Sequence, residues 1–110
     1  MLEKTNRINL LYDYYHPLLT EKQKLFLELY YHDNYSLGEI AEEFEITRQG
    51  VYEHIKKAEH VLEEYEDKLK LFAKGQKRQE ILKQLQQYLT KHIREKNPAM
   101  EWLSQLKELE

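Results

Sequence analysis

YSLGEIAEEFEITRQGVYEHIKKA, residues 35–58, decides the fold. Ser36 followed by Glu39 has the form of a capping box, in which two side chains satisfy backbone N–H groups left open at a helix start. Leu37, Ile40, Ala41 and Phe44 then recur on one face of a short helix. The small side chain of Ala41 falls where a second helix must cross closely. Glu45-Ile46 reads as a turn, and Thr47 as a second N-cap. Val51, Ile55 and Ala58 follow at spacings of 4 and 3 and give the second helix its buried seam. Two helices joined in this way form a helix-turn-helix, which can place its second helix in a DNA major groove. An ordinary helical hairpin with no ligand is the alternative reading of the same stretch.

Upstream, residues 3–16 read as a helix with Ile8, Leu11, Tyr12 and Tyr15 on one face. Pro17 stops it, because proline disfavours the α conformation in the residue before it. Thr20 and Gln23 form another capping box, and Leu25, Phe26, Leu29 and Tyr30 give the next helix its apolar stripe. His32-Asp33-Asn34 is a polar turn leading into Ser36. Downstream, the apolar spacing continues through Leu62, Tyr65, Leu69 and Phe72, a heptad seam with neither Gly nor Pro before Gly75. The pattern therefore predicts one long recognition helix reaching Phe72, with Gly75 as its C-cap or a kink. A further helix is expected over about 76–94, with Ile81, Leu82, Leu85, Tyr88, Leu89 and His92 on its apolar face. Asn97-Pro98 is a helix start, and Trp102, Leu103, Leu106 and Leu109 line the last helix.

Composition agrees with an all-α protein, since Gly and Pro number 3 and 2 while 34% of the 110 residues are charged. The expected organisation is a helix-turn-helix domain over 1–72 followed by C-terminal helices over 73–110. Those helices belong to the same compact unit or form a dimerisation element. Leu62, Leu69, Phe72, Ile81, Leu85 and Leu89 offer more apolar surface than a thin helical layer easily buries alone, which makes them a candidate homodimer interface. No apolar run approaches the length of a membrane span and the N-terminus lacks a signal peptide's apolar core, so a cytoplasmic protein with no membrane insertion is expected.

The same residues exclude most catalytic chemistry. There is no cysteine, and of the two serines, Ser36 and Ser104, the first is occupied as a cap. The five histidines (His16, His32, His54, His60, His92) include no pair at the i, i+4 spacing that would share a helix face for a metal. No Gly-rich phosphate loop exists. A binding protein without metal or cofactor is the expectation.

Side chains off the buried seam of the second motif helix are its candidate nucleic-acid contacts. Arg48 and Gln49 lie in the first turn, where a groove-docked helix meets base edges; arginine pairs with guanine and glutamine with adenine in two-point contacts. Tyr52 suits a thymine methyl or a phosphate, and Lys56 and Lys57 suit phosphates. Charge works against the motif acting alone, because residues 35–60 hold 3 basic side chains against 6 glutamates. Phosphate neutralisation supplies much of the affinity for nucleic acid. Gly50 within the helix costs roughly 0.5–1 kcal/mol relative to alanine. The formal charge of −3 is also unevenly spread: residues 1–67 hold 7 basic and 15 acidic side chains, and residues 68–96 hold 9 and 2. Lys74, Lys77, Arg78, Lys83 and Lys91, with Arg94 and Lys96, are therefore a second candidate surface, for an RNA backbone. The alternative is that they balance the acidic first part.

The residues Glu3-Lys4-Thr5-Asn6-Arg7, Leu18-Leu19-Thr20-Glu21-Lys22-Gln23, Tyr35 to Phe44, and Thr47-Arg48-Gln49 with Val51-Tyr52 resemble the YlxM family. These are small bacterial proteins whose helix-turn-helix is similar to region 4 of sigma factors. The resemblance covers roughly residues 3–80. It implies a regulatory or accessory role in the signal recognition particle pathway, with DNA, the particle's RNA or the particle's GTPase as partner. It brings no catalytic or cofactor residues. Gly50 and His54 depart from the alanine and asparagine expected of the family, and both lie on the recognition helix.

Overall fold

The computed structural model describes residues 2–93 and 97–109. Among these it contains six α-helices and no strand: α1 (Leu2–Tyr15), α2 (Glu21–Leu27), α3 (Leu37–Phe44), α4 (Arg48–Leu69), α5 (Leu71–His92) and α6 (Pro98–Glu108). The all-α class and the helix-turn-helix are as the sequence led us to expect. The chain divides into two compact units, Met1–Lys70 and Leu71–Glu110.

In the first unit α1 ends at Tyr15, and a 3-10 turn over His16–Leu18 carries Pro17 across to α2. Both predicted capping boxes are present. Thr20 Oγ accepts from the Gln23 N–H at 3.1 Å while Gln23 Oε1 accepts from the Thr20 N–H at 3.0 Å. Ser36 and Glu39 repeat the arrangement at 3.0 Å in each direction. These bonds serve orphan donors of the first helical turn and fix where each helix begins. Helix α2 is shorter than its apolar stripe suggested, because the chain widens into a π turn over Glu28–His32. Leu27, not Leu25, joins Phe26 in the core.

Helices α1, α2 and α3 all pack on α4. Ile8, Leu11 and Tyr15 from α1, Phe26 and Leu27 from α2, and Ile40 and Ala41 from α3 meet Val51, Ile55, Ala58 and Leu62 in one core. The predicted seam is buried as far as Leu62. Glu66 is buried, whereas Leu69 is 44% exposed.

The end of α4 also departs from expectation. Lys70 takes the left-handed conformation, with φ 57° and ψ 28°, and its N–H reaches Glu66 O at 2.8 Å. The helix therefore stops at Leu69 and not beyond Phe72. Gly75, expected to be a C-cap or a kink, lies inside α5 without a positive φ. Leu62 is fully buried within the chain and Leu89 nearly so, whereas Leu69, Ile81 and Leu85 are exposed.

The second unit is a hairpin in which α5 packs on α6. Asn97 Oδ1 caps α6 by accepting the Ala99 N–H at 2.8 Å, and Pro98 occupies the first turn. Two helices can bury only a narrow strip against each other, and Leu89 and Leu103 are the buried side chains here. Ile81, Leu85, Tyr88 and His92 from the predicted apolar face of α5 are exposed, as are Trp102 and Leu106 of α6 and its C-cap residue Leu109.

Candidate nucleic-acid interface

The turn between α3 and α4 sets the presentation of the second helix. Glu45 adopts φ 54° and ψ 43°, a left-handed conformation that costs a residue with a Cβ roughly 1–2 kcal/mol. The adjoining Ile46 N–H bonds back to Ala41 O at 3.1 Å, which satisfies a carbonyl at the end of α3 and offsets part of that cost. Thr47 then caps α4, its hydroxyl accepting the Gly50 N–H at 2.9 Å. A Cβ at Gly50 would stand 3.2 Å from the same hydroxyl, so the missing side chain lets the cap close tightly.

Arg48 and Gln49 are exposed while Val51 and Ile55 are buried, at 0% and 2% exposure. The face assignment read from the sequence is therefore the observed one. Arg48 leans over the first turn of α3, its Nε 3.8 Å from the point a Cβ on Gly38 would occupy. The Gln49 amide donates to Glu53 Oε1 at 3.4 Å. The exposed Tyr52 ring lies beneath the Lys56 ammonium, 5.5 Å from the ring centre. Arg48, Tyr52 and Lys56 thus form one row along α4 at four-residue spacing. Gln49, Glu53 and Lys57 form the next.

Two buried carboxylates behind this surface were not foreseen. Glu59 accepts from the Tyr31 hydroxyl at 2.7 Å and sits 3.3 Å from the Lys4 ammonium and 3.6 Å from that of Lys56. The neighbouring Lys4 pushes the Lys56 ammonium below its ordinary pKa, while burial of Tyr31 and its bond to Glu59 raise the phenol far above its own. The second carboxylate, Glu66, accepts from the Tyr15 hydroxyl at 2.6 Å. No apolar periodicity reveals such groups; the signal was a glutamate falling on the seam side of α4.

The fold also brings cations to α4 that lie far from it in sequence. Lys4 of α1 stands beside Lys56 on one flank. Lys22 of α2 stands near Lys57 on the other, both lining a cavity of about 150 Å³. On α5, Lys74, Lys77, Arg78, Lys83 and Lys91 are all exposed. They do not share one face: at 3.6 residues per turn Lys83 points roughly 180° from Lys74. Arg94 and Lys96 lie outside the described residues. Among the described residues no three His, Cys, Asp or Glu side chains gather as a metal site, and no helix is long and apolar enough to cross a membrane.

A capped three-helix support, a tight turn and a second helix with an exposed first turn define a helix-turn-helix protein. The chain belongs to the UPF0122 family, whose family model, described as "Putative helix-turn-helix protein, YlxM / p13 like", matches residues 2–101. A UPF0122 protein of Geobacillus sp. (strain WCH70) is 51% identical over 110 residues, covering both chains completely. Another, from Halalkalibacterium halodurans, is 58% identical over 91 residues, 83% of this chain and 84% of its own. A third, from Listeria monocytogenes serotype 4b, is 50% identical over the full length of both. The family resemblance drawn from the sequence is thereby shown.

Proposed function

We propose that the protein is a nucleic-acid-binding accessory or regulatory protein in which α4 enters a duplex groove. The observation that carries this reading is the exposed first turn of α4, where Arg48 and Gln49 stand clear of the core on a helix fixed by the Thr47 cap. Arg48 and Gln49 read base edges, while Lys4, Lys56 and Lys57 meet phosphates. Through its likeness to the YlxM family, the reading extends to the signal recognition particle and its RNA, with the cations of α5 as a second contact set. Ile81 and Leu85, exposed on α5, are the surface through which a second copy would pair; only a 13.5 kDa species in light scattering would remove that part. The test of the main reading is fluorescence anisotropy with a duplex DNA and with a structured RNA. Arg48→Ala/Gln49→Ala is expected to weaken binding about tenfold or more, since each two-point base contact contributes roughly 1–3 kcal/mol of discrimination. Equal binding by this variant and the parent protein, both folded, would reject it.

A specific observation favours a second reading. The motif carries 6 glutamates against 3 cations, and α5 and α6 expose Tyr88, Trp102 and Leu106. This surface suits a protein partner such as the GTPase of the particle, with the helix-turn-helix serving as scaffold. Pull-down with and without nuclease separates the two, because only a partner held through nucleic acid is lost on digestion.

A further inference from the structure

The strongest unassigned feature is the cavity between α2 and α4, lined by Thr20, Lys22, Gln23, Phe26, His54 and Lys57. Its floor is the Phe26 ring, on which the His54 imidazole stacks at 5.0 Å and 6°. The Lys22 ammonium stands 5.9 Å from the centre of the same ring.

The α2 capping box decides what chemistry its two polar side chains offer. Thr20 Oγ already accepts the Gln23 N–H, and Gln23 Oε1 already accepts the Thr20 N–H. Each side chain is left chiefly with a donor, the Thr20 O–H and the Gln23 amide NH₂. Lys22 and Lys57 add ammonium donors, and among the described residues neither has an ion-pair partner.

No carboxylate lines the cavity. This is notable in a stretch of 15 acidic and 7 basic side chains, because two of the seven cations are here. The neighbouring carboxylates are engaged elsewhere: Glu21 with Lys24 at 2.8 Å, and Glu53 with Gln49 at 3.4 Å. A cleft rich in donors, with two unpaired ammonium groups and no negative charge, is matched to an anion with several acceptor oxygens.

We propose that this cleft is a phosphate seat, and that the phosphate it takes belongs to a nucleic-acid backbone beside α4. The proposal rests on the reading of α4 as a groove-docking helix. It adds the half of the contact that the motif lacks. A major groove is bounded by two backbones, and α4 carries cations on both flanks, Lys4 with Lys56 on one and Lys22 with Lys57 on the other. Three motif cations alone face six glutamates, but paired flanks supply cations where the two backbones run.

The test measures affinity for a duplex by anisotropy across salt for the full chain, for Lys22→Gln/Lys57→Gln and for Lys24→Gln. Lys24 is on the same helix, outside the cavity and paired with Glu21. Each neutralised phosphate contributes about 0.9 to the slope of log affinity against log salt, so the double variant, which empties one seat, should lose about 0.9. Between about 50 and 200 mM salt its affinity should then fall roughly three- to fourfold less than that of the parent protein. Lys24→Gln should behave as the parent does. A parent-like slope in the double variant overturns the seat. Should the parent protein bind no duplex, the His54 ring resonances are followed during titration with inorganic phosphate. A shift that the double variant abolishes keeps the seat and removes the groove-docking reading; no shift overturns the seat as well.

Discussion

Tyr15→Phe removes a single oxygen from the fully buried ring of α1, and the structure says how much that oxygen matters. Its hydroxyl donates to Glu66 Oε1 at 2.6 Å, and Glu66 is itself only 7% exposed on α4. The ring of the variant keeps its packing, including the stack on Tyr65 at 5.9 Å. What changes is the carboxylate, which loses a donor in a place that water hardly reaches. A hydrogen bond to a charged group contributes about 1.5–3 kcal/mol, and an under-satisfied buried acceptor costs a similar amount. We expect Tyr15→Phe to lose about 2 kcal/mol. In a unit of this size that corresponds to a fall in Tm of about 8–16 °C.

Urea unfolding followed by far-ultraviolet circular dichroism measures the loss, and a double-mutant cycle assigns it. Glu66→Leu alone removes the carboxylate that accepts from the Tyr15 hydroxyl. Tyr15→Phe/Glu66→Leu removes both partners and should lose at least about 1 kcal/mol less than the two single losses added together. Glu66→Gln keeps an acceptor and should be the mildest of the set. A Tyr15→Phe variant within about 0.5 kcal/mol of the parent, or strictly additive single losses, would refute the view that this bond ties α1 to α4.

Two other consequences are direct. Val51→Asp places a carboxylate where exposure is 0%, so it should lose more than about 4 kcal/mol and leave the first unit unfolded, whereas Arg48→Ala should stay within about 0.5 kcal/mol; thermal melts giving the reverse order would overturn the face assignment of α4. The Arg7 guanidinium donates to both oxygens of Glu63, at 2.7 and 2.8 Å, and holds that carboxyl below its ordinary pKa of 4.5. With the folded pKa depressed, the stabilisation is fully present above the unfolded value and is lost as pH falls through the lowered one. Stability measured downward from about pH 5 should therefore decline less steeply in Arg7→Gln than in the parent protein, and identical profiles would show the pair contributes nothing. At neutral pH the same variant should lose less than about 1 kcal/mol, because both side chains are more than a third exposed.

Much of this fold is legible in the sequence because helix starts announce themselves locally. Thr20 with Gln23, Ser36 with Glu39, Thr47, and Asn97 with Pro98 all cap as their residue types require. Helix ends do not announce themselves in the same way. Three residues with positive φ, Asn34, Glu45 and Lys70, close off segments here, and none is glycine. Only asparagine visits that region readily, so nothing in the residue types marks Lys70 as the stop or denies the part to Gly75. The heptad reading of α4 added to the error, since it follows apolar residues alone. The helix instead turns two glutamates, Glu59 and Glu66, toward tyrosine hydroxyls of the supporting segments.

The candidate site divides along the same line. Arg48, Gln49, Tyr52, Lys56 and Lys57 are contiguous on one helix, and their exposure follows from the capped start and the 3.6-residue period. Lys4 and Lys22 reach α4 only through tertiary packing, at separations of 52 and 35 residues from Lys56 and Lys57. A count of charges along the motif therefore understates the cations α4 can present. Residues 35–60 read as a poor phosphate binder in one dimension, whereas in three dimensions the acidic stretch is flanked on both sides by lysines. The glutamates also divide by role. Glu39 caps α3, Glu53 holds Gln49 and Glu59 anchors Lys4 and Lys56, so three of the motif's six carboxylates serve the surface they were counted against.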